Sequence, residues 1–275
     1  MNGKQKPSFC HCCLENNSHC VHIYDKKPPG ETNFYFKNYY RELWCCLTCG
    51  HYQSTTNMNL SKLYSSDYVD NTYGGVDGIE RNYQRIMALD PEKSDNVGRV
   101  KRIIGFSKKH FAEQDSIRIL DIGSGLGVFL GKIKQKTSWH CTAMEPDSRL
   151  SDHAKQTIGV ESICRDYREL KWNRKFDIIT LNKVLEHIES PAELLMKCKD
   201  DLAVGGFIYI ELPDGTSASK DKEKYGCEEF FLEHHHVFSH KSMKMLISKC
   251  GLKPLLSEAI VEPSGKYTLR SFNTF

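Results

Sequence analysis

Long apolar runs are missing from this 275-residue chain. No stretch approaches the roughly 18 consecutive apolar residues that a membrane span requires. The opening segment, Met1 to Cys13, lacks the apolar core of a signal peptide. An excess of one charge is missing too: 38 Lys and Arg face 35 Asp and Glu, a net of +3. That balance leaves no electrostatic footprint for a nucleic acid or an anionic membrane as partner. Leu, Ile and Val are scarce before Thr56, so this part builds no sizeable apolar core of its own. These absences predict a soluble, cytoplasmic protein with a small first module and one larger domain.

Cysteine is plentiful, and unevenly placed. Seven of the 12 precede His51: Cys10, Cys12, Cys13, Cys20, Cys45, Cys46 and Cys49. Without a secretory signal, disulfides are not expected, and the cluster asks for a metal. Cys10-x-x-Cys13 and Cys46-x-x-Cys49 are paired knuckles with 32 residues between them. Such pairs supply four thiolates for tetrahedral zinc. Cys12, Cys20, His22, Cys45 and His51 compete for the same role. Cys141, Cys164, Cys198, Cys227 and Cys250 stand singly and read as small hydrophobes.

Three segments emerge. Residues 1–56 form the metal-binding module. Residues 57–114 read as a helical connector or lid, with Tyr64, Tyr68 and Tyr73 ahead of the Gly74-Gly75 turn. Ile79, Tyr83, Ile86 and Met87 then recur at helical spacing, and a second run follows Asp90-Pro91. From residue 115 to 275, short apolar runs alternate with amphipathic ones. Strands are predicted at Arg118–Ile122, His140–Met144, Val160–Cys164, Phe176–Leu181 and Gly206–Leu212. Helices are predicted at Leu126–Lys136, Ser148–Thr157, Pro191–Leu202 and Lys241–Lys249. Lys253–Val261 and Lys266–Phe272 close the sheet. The alternation predicts an α/β, Rossmann-like, doubly wound sheet, mostly parallel with an antiparallel last strand.

In such a sheet, ligands bind beyond the carboxyl ends of the strands. The loop after the first strand is Gly123-Ser124-Gly125-Leu126-Gly127, a tight turn that lets a ligand approach the backbone. Glu145 ends the second strand, 22 residues after Gly123, where a carboxylate can accept both hydroxyls of a ribose. Asp166 follows the third strand, with Tyr167 beside it.

At these positions the chain resembles class I S-adenosylmethionine-dependent methyltransferases. The resemblance is carried by ILDIGSGLGVFL, AMEPD, FDIITLNKVLEHIESPAELL and LAVGGFIYIELPD, and more loosely by EEFFLEHHHVFSHKSMKMLISKCGL. It implies that Asp121, Gly123, Ser124, Gly125 and Asn182 surround the methionyl part of S-adenosylmethionine. It implies Glu145 at the ribose, with Asp166 and Tyr167 framing the adenine. The CxxC…CxxCG pattern resembles sugar methyltransferases with an N-terminal zinc-binding module, which implies structural zinc at Cys10, Cys13, Cys46 and Cys49. The acceptor is then a small polar metabolite, a sugar or surface-glycan precursor, methylated at oxygen or carbon.

His187, in Glu186-His187 after the fourth strand, is the first candidate base. Within His234-His235-His236, His235 or His236 is the second candidate. Related quinone O-methyltransferases use a metal near such a Glu-His pair. A quinone or other aromatic hydroxyl is accordingly the alternative acceptor. RNA or protein methylation is disfavoured by the charge balance. A nicotinamide dehydrogenase fits poorly, because G-x-G-x-G lacks the third glycine in its usual place. A non-catalytic zinc-ribbon adaptor is opposed by the intact loop and Glu145. Oligomeric state and acceptor atom are not encoded in any of these motifs.

Overall fold

A computed structural model describes residues 6–60, 70 and 73–275, so Tyr64 and Tyr68 lie outside the described residues. The first module forms three antiparallel strands, β1 (Ser18–Tyr24), β2 (Arg41–Cys46) and β3 (Tyr52–Thr56). Two helices follow, α1 (Gly75–Met87) and α2 (Asp95–His110). Ser94 caps α2 by accepting from the Val97 amide, which satisfies one of its free N–H groups.

The larger unit runs β4 (Arg118–Ile122), α3 (Val128–Lys134), β5 (His140–Met144), α4 (Ser148–His153), β6 (Glu161–Ile163), β7 (Phe176–Asn182), α5 (Pro191–Asp201) and β8 (Leu202–Pro213). After a two-residue strand, β9 (His236–Val237), come α6 (His240–Lys249), β10 (Lys253–Val261) and β11 (Tyr267–Thr274). The sheet order is β10-β11-β8-β7-β4-β5-β6. The five strands from β8 to β6 are parallel, and β11 and β10 are antiparallel to their neighbours. This is the doubly wound fold predicted from the alternation of runs.

Successive side chains leave a strand on opposite faces, so adjacent apolar residues serve two cores. Ile119, Ile178 and Phe207 join the helices α1, α2 and α3 through Tyr83, Ile103 and Leu130. Leu120, Ile179 and Ile208 face Leu194, Leu195, Leu246 and Ile247 of α5 and α6. The chain winds outward through β4, β5 and β6, then returns to place β7 on the other side of β4. That reversal opens the crevice between the carboxyl ends of β4 and β7.

Three differences from the sequence expectation have physical causes. The fourth helix widens into a π turn at Ala154–Ile158 and ends on Gly159, which has a left-handed backbone. The turn brings Ile158 against Gly127, where a Cβ would sit 2.2 Å from the Ile158 Cδ1. The fifth strand starts at Leu202 rather than Gly206, because Leu202 pairs with Phe176 across a register shift. The first module is also a sheet, which its sparse aliphatic content hid. Its core is largely aromatic and drawn from distant segments: Tyr24, Leu43 and Tyr52 pack with Phe230 and Val237. Its fourth strand is β9, with Tyr52 opposite Val237 and Gln53 opposite His236.

Candidate functional site

A cleft of about 1080 Å³ opens at the β4–β7 crevice. Asp121, Gly123, Ser124, Gly125, Glu145, Asp166, Tyr167, Asn182 and His187 all line it. Residues separated by more than 60 positions thus converge because each ends or follows a parallel strand.

Asp121 is buried at the end of β4. Its Oδ1 accepts from Thr180 Oγ1 at 2.6 Å and from Asn182 Nδ2 at 2.8 Å. Burial pushes its carboxyl up to about 6 against the pull of those donors. The bond fixes the Asn182 amide: its Nδ2 faces Asp121, which leaves Oδ1 turned away, buried and without a partner. Ser124 Oγ is likewise buried and unpartnered. Two orphaned oxygens beside a glycine turn are costly unless a ligand donates to them. An ammonium group meets that need.

Glu145 ends β5. Its Oε2 accepts from the Gly125 amide at 2.9 Å and its Oε1 from the Asp147 amide at 3.3 Å. Burial pushes its carboxyl up to about 7, and the two amides only partly offset this. The Gly loop is held against the same carboxylate that faces the cleft, so loop and acidic residue act as one unit. Asp166 caps the turn Tyr167–Glu169 through the Arg168 amide, and its carboxylate pairs with the Arg168 guanidinium at 2.6 Å. That pairing holds the Asp166 carboxyl below its ordinary range. Tyr167 is placed differently from a ring beside a base. Its ring packs in the core under the sheet, and its hydroxyl donates to Asp201 at 2.5 Å.

Beside the turn Leu185–His187 the structure brings together a group only partly anticipated. His187 Nδ1 lies 2.8 Å from the Glu233 carbonyl, and His234 Nδ1 lies 2.7 Å from the Glu229 carbonyl. A carbonyl only accepts, so in each neutral ring the proton sits on Nδ1 and the lone pair on Nε2. The two rings meet edge to face, 4.9 Å apart. Glu186 is fully buried beside them, with both carboxylate oxygens unpartnered. Burial pushes the Glu186 carboxyl up and the His234 imidazole down. Ligand atoms of Glu186, His187 and His234 lie within 4.8 Å of one another, close enough to share a cation.

Of the three consecutive histidines, His234 is the one that lines the cleft. The preference for His235 or His236 is corrected here. His236 is committed to β9 and to bonds with His51 and the Glu189 carbonyl, and His235 does not line the cleft. Alternation could not phase the triplet, because the strand that imposes it is only two residues long. A usable signal was present: Glu233-His234 repeats Glu186-His187, and the two pairs face each other.

The cysteine site is separate. Cys10, Cys13, Cys46 and Cys49 have their Sγ atoms within 4.8 Å of one another, with Cys10–Cys49 and Cys13–Cys46 both at 3.5 Å. A tetrahedron with metal–sulfur bonds of about 2.3 Å has edges of about 3.8 Å. The four thiols therefore fit zinc, while Cys12, Cys20, Cys45, His22 and His51 fall outside the quartet.

With this geometry in view, the family model described as Methyltransferase domain matches residues 84–257. Among curated relatives, the ubiquinone biosynthesis O-methyltransferase of Colwellia psychrerythraea is 27% identical over 100 residues, covering 34% of this chain and 41% of that protein. The Rickettsia bellii protein of the same name is 20% identical over 166 residues, covering 58% and 65%. The matches span less than two thirds of either relative's length. Among solved structures, an S-adenosylmethionine-dependent methyltransferase from Clostridium acetobutylicum superposes with a TM-score of 0.54 at 14% identity, covering 72% of this chain and 98% of that one. Magnesium protoporphyrin IX methyltransferase from Synechocystis, solved with bound SAH, gives 0.57 at 12% identity, covering 78% and 99%. At these identities the likeness establishes the fold.

Proposed function

This chain belongs to the methyltransferase-domain family, and from that footing we propose that it moves a methyl group from S-adenosylmethionine to a small polar acceptor. The observation that carries the reading is the set of orphaned and poised oxygens around one crevice. Asn182 Oδ1 and Ser124 Oγ suit the ammonium of the methionyl group. Asp121 positions Asn182, Glu145 receives the ribose hydroxyls, and Asp166 lies at the adenine end. When bound, S-adenosylmethionine supplies an electrophilic methyl on a sulfonium, and the methyl–sulfur bond breaks as the acceptor attacks.

The protein's own part is alignment and proton handling. Holding the partners in line is worth roughly 7–11 kcal/mol in favourable cases. An acceptor hydroxyl must shed its proton, and Nε2 of His187 or His234, two residues that line the cleft, is the candidate basic atom. The Glu233 and Glu229 carbonyls hold the two rings in the tautomer this requires.

A sugar or surface-glycan precursor suits the acceptor end, where Arg99, Lys183, Glu186, Glu262 and Lys266 join the histidines. So many charged groups suit a hydroxyl-rich ligand better than an apolar ring. An aromatic hydroxyl is the second reading, favoured by the names of the curated relatives. The cysteine quartet holds structural zinc in this proposal.

Thermal shift with S-adenosylmethionine, S-adenosylhomocysteine and NAD tests the cofactor. At 100 times its dissociation constant a ligand stabilises by about 2.7 kcal/mol. Stabilisation by NAD alone overturns the proposal. His187→Ala should lower turnover far more than it weakens S-adenosylhomocysteine binding, and equal turnover removes His187 from the mechanism.

A further inference from the structure

Apart from Gly30 and Thr32, which line the cleft, the cysteine module reaches the turn that carries His187 through two buried imidazoles. His51 follows the second knuckle directly, and His236 sits on β9. His236 Nε2 lies 3.2 Å from the Glu189 carbonyl, and His236 Nδ1 lies 3.0 Å from His51 Nε2. The carbonyl can only accept, so a neutral His236 carries its proton on Nε2. Its Nδ1 is then the acceptor, and His51 must donate from Nε2. His51 Nδ1 is left unprotonated, and it is a buried atom with no hydrogen-bond partner. One tautomer per ring is therefore fixed by a chain running from His51 through His236 to Glu189.

Glu189 lies two residues beyond His187. The intervening turn is held by the His187 amide on the Val184 carbonyl at 3.0 Å and the Ile188 amide on the Leu185 carbonyl at 3.3 Å. The same His236 lies two residues after His234. Around it the module grips the larger domain by Ser54 N to His235 O at 3.1 Å, Ser239 Oγ to Cys49 O at 2.5 Å and Lys241 Nζ to Thr48 O at 2.6 Å. None of these bonds reaches the Gly loop on β4.

We propose that His236, aligned by His51, is a positioning residue that ties the cysteine module to the acceptor side of the cleft, holding the Leu185–His187 turn and His234 in register while leaving the cofactor side alone. The inference rests on the functional reading only for what the positioned histidines do. The coupling itself is a property of the bonds.

The test uses the full chain with its metal. In 15N-histidine spectra of the wild type, His236 should be protonated on Nε2 and bare on Nδ1, and the opposite tautomer overturns the proposal. His236→Leu keeps an apolar filling but removes both bonds. Hydrogen exchange at the His187 and Ile188 amides should then quicken by about tenfold or more, while exchange at Gly123–Gly127 and the dissociation constant for S-adenosylhomocysteine stay within about twofold. His236→Gln, whose side-chain amide can still donate to Glu189, should restore most of the protection. Unchanged exchange in the Leu variant also overturns the proposal. If that variant does not fold, the tautomer measurement decides. If S-adenosylhomocysteine fails to bind the wild type, the functional reading falls and the exchange result stands apart from it.

Discussion

In the role proposed for it at the ribose, Glu145 serves binding against stability. Its ordinary value is 4.5, and burial raises it to about 7 in the folded chain. The folded state therefore holds this proton more tightly than the unfolded state does. The associated stability is complete below pH 4.5 and is lost as pH rises through about 7. At pH 8 the ionised, ligand-free protein carries a penalty on the order of 3 kcal/mol from this one group. Binding as proposed has the opposite preference, since two ribose hydroxyls would donate best to a carboxylate. S-adenosylhomocysteine affinity should fall as pH drops through about 7. Glu145→Gln should weaken that affinity by about 10- to 100-fold. The same change should raise the melting temperature of the ligand-free protein at pH 8. Calorimetric titration and thermal unfolding at pH 6 and 8 read both halves, and a variant that loses affinity without gaining stability contradicts the account.

Among the elements, the cysteine knuckles carry the plainest prediction. Metal analysis of protein purified without chelator should find one zinc per chain, matching the one thiol quartet among the described residues. Cys49→Ser should lose it and lower the melting temperature by roughly 10 °C, since a structural site supplies folding energy directly. Retained zinc in that variant would exclude Cys49 from the ligand set. The knuckles were readable from spacing because a thiolate site constrains sequence locally. So were β4, β5 and β7, whose two buried faces leave nearly continuous apolar runs. β1 to β3 were not, because their partners are aromatic residues near Phe230 and a strand of two residues almost 200 positions away. Tyr167 follows Asp166 in sequence, yet its hydroxyl answers to Asp201 on α5. Within the site, strand ends announced the residues that gather at the β4–β7 crevice. The acceptor side depends on how one tripeptide of histidines is phased, and that phase comes from pairing with β3.

For the molecule as a whole, a buried ionic network joins the helical connector to the sheet. Glu211 of β8 accepts from Arg99 Nε of α2 at 2.8 Å and pairs with Arg270 Nε of β11 at 2.8 Å. Arg270 also bonds Glu262 at 2.6 Å, and the Tyr209 hydroxyl donates to Glu211 at 2.6 Å. Burial alone would raise the Glu211 carboxyl, but the two guanidiniums win and hold it at about 2. Its contribution is thus present above the ordinary 4.5 and is lost as pH falls through about 2. Glu211→Gln leaves Arg99 buried without its carboxylate and Arg270 with Glu262 alone, and should cost about 3–5 kcal/mol, with a shallower acid limb between those values. Urea unfolding across that range measures it, and a cost under about 1 kcal/mol shows that the network is not holding the connector.

The four-stranded sheet also imposes an order of assembly. Its first three strands are complete by Thr56, but the fourth, and the aromatic floor around Phe230, arrive only when synthesis has passed residue 237. Over that interval the earliest part of the chain must wait with an open strand edge and several bare thiols. Pairing across so long a separation is slow, and exposed edges of this kind invite aggregation. With zinc in the site as proposed, its early capture would shield the thiols and staple the two knuckles together, and the nascent chain would need the metal most before the enzyme is finished.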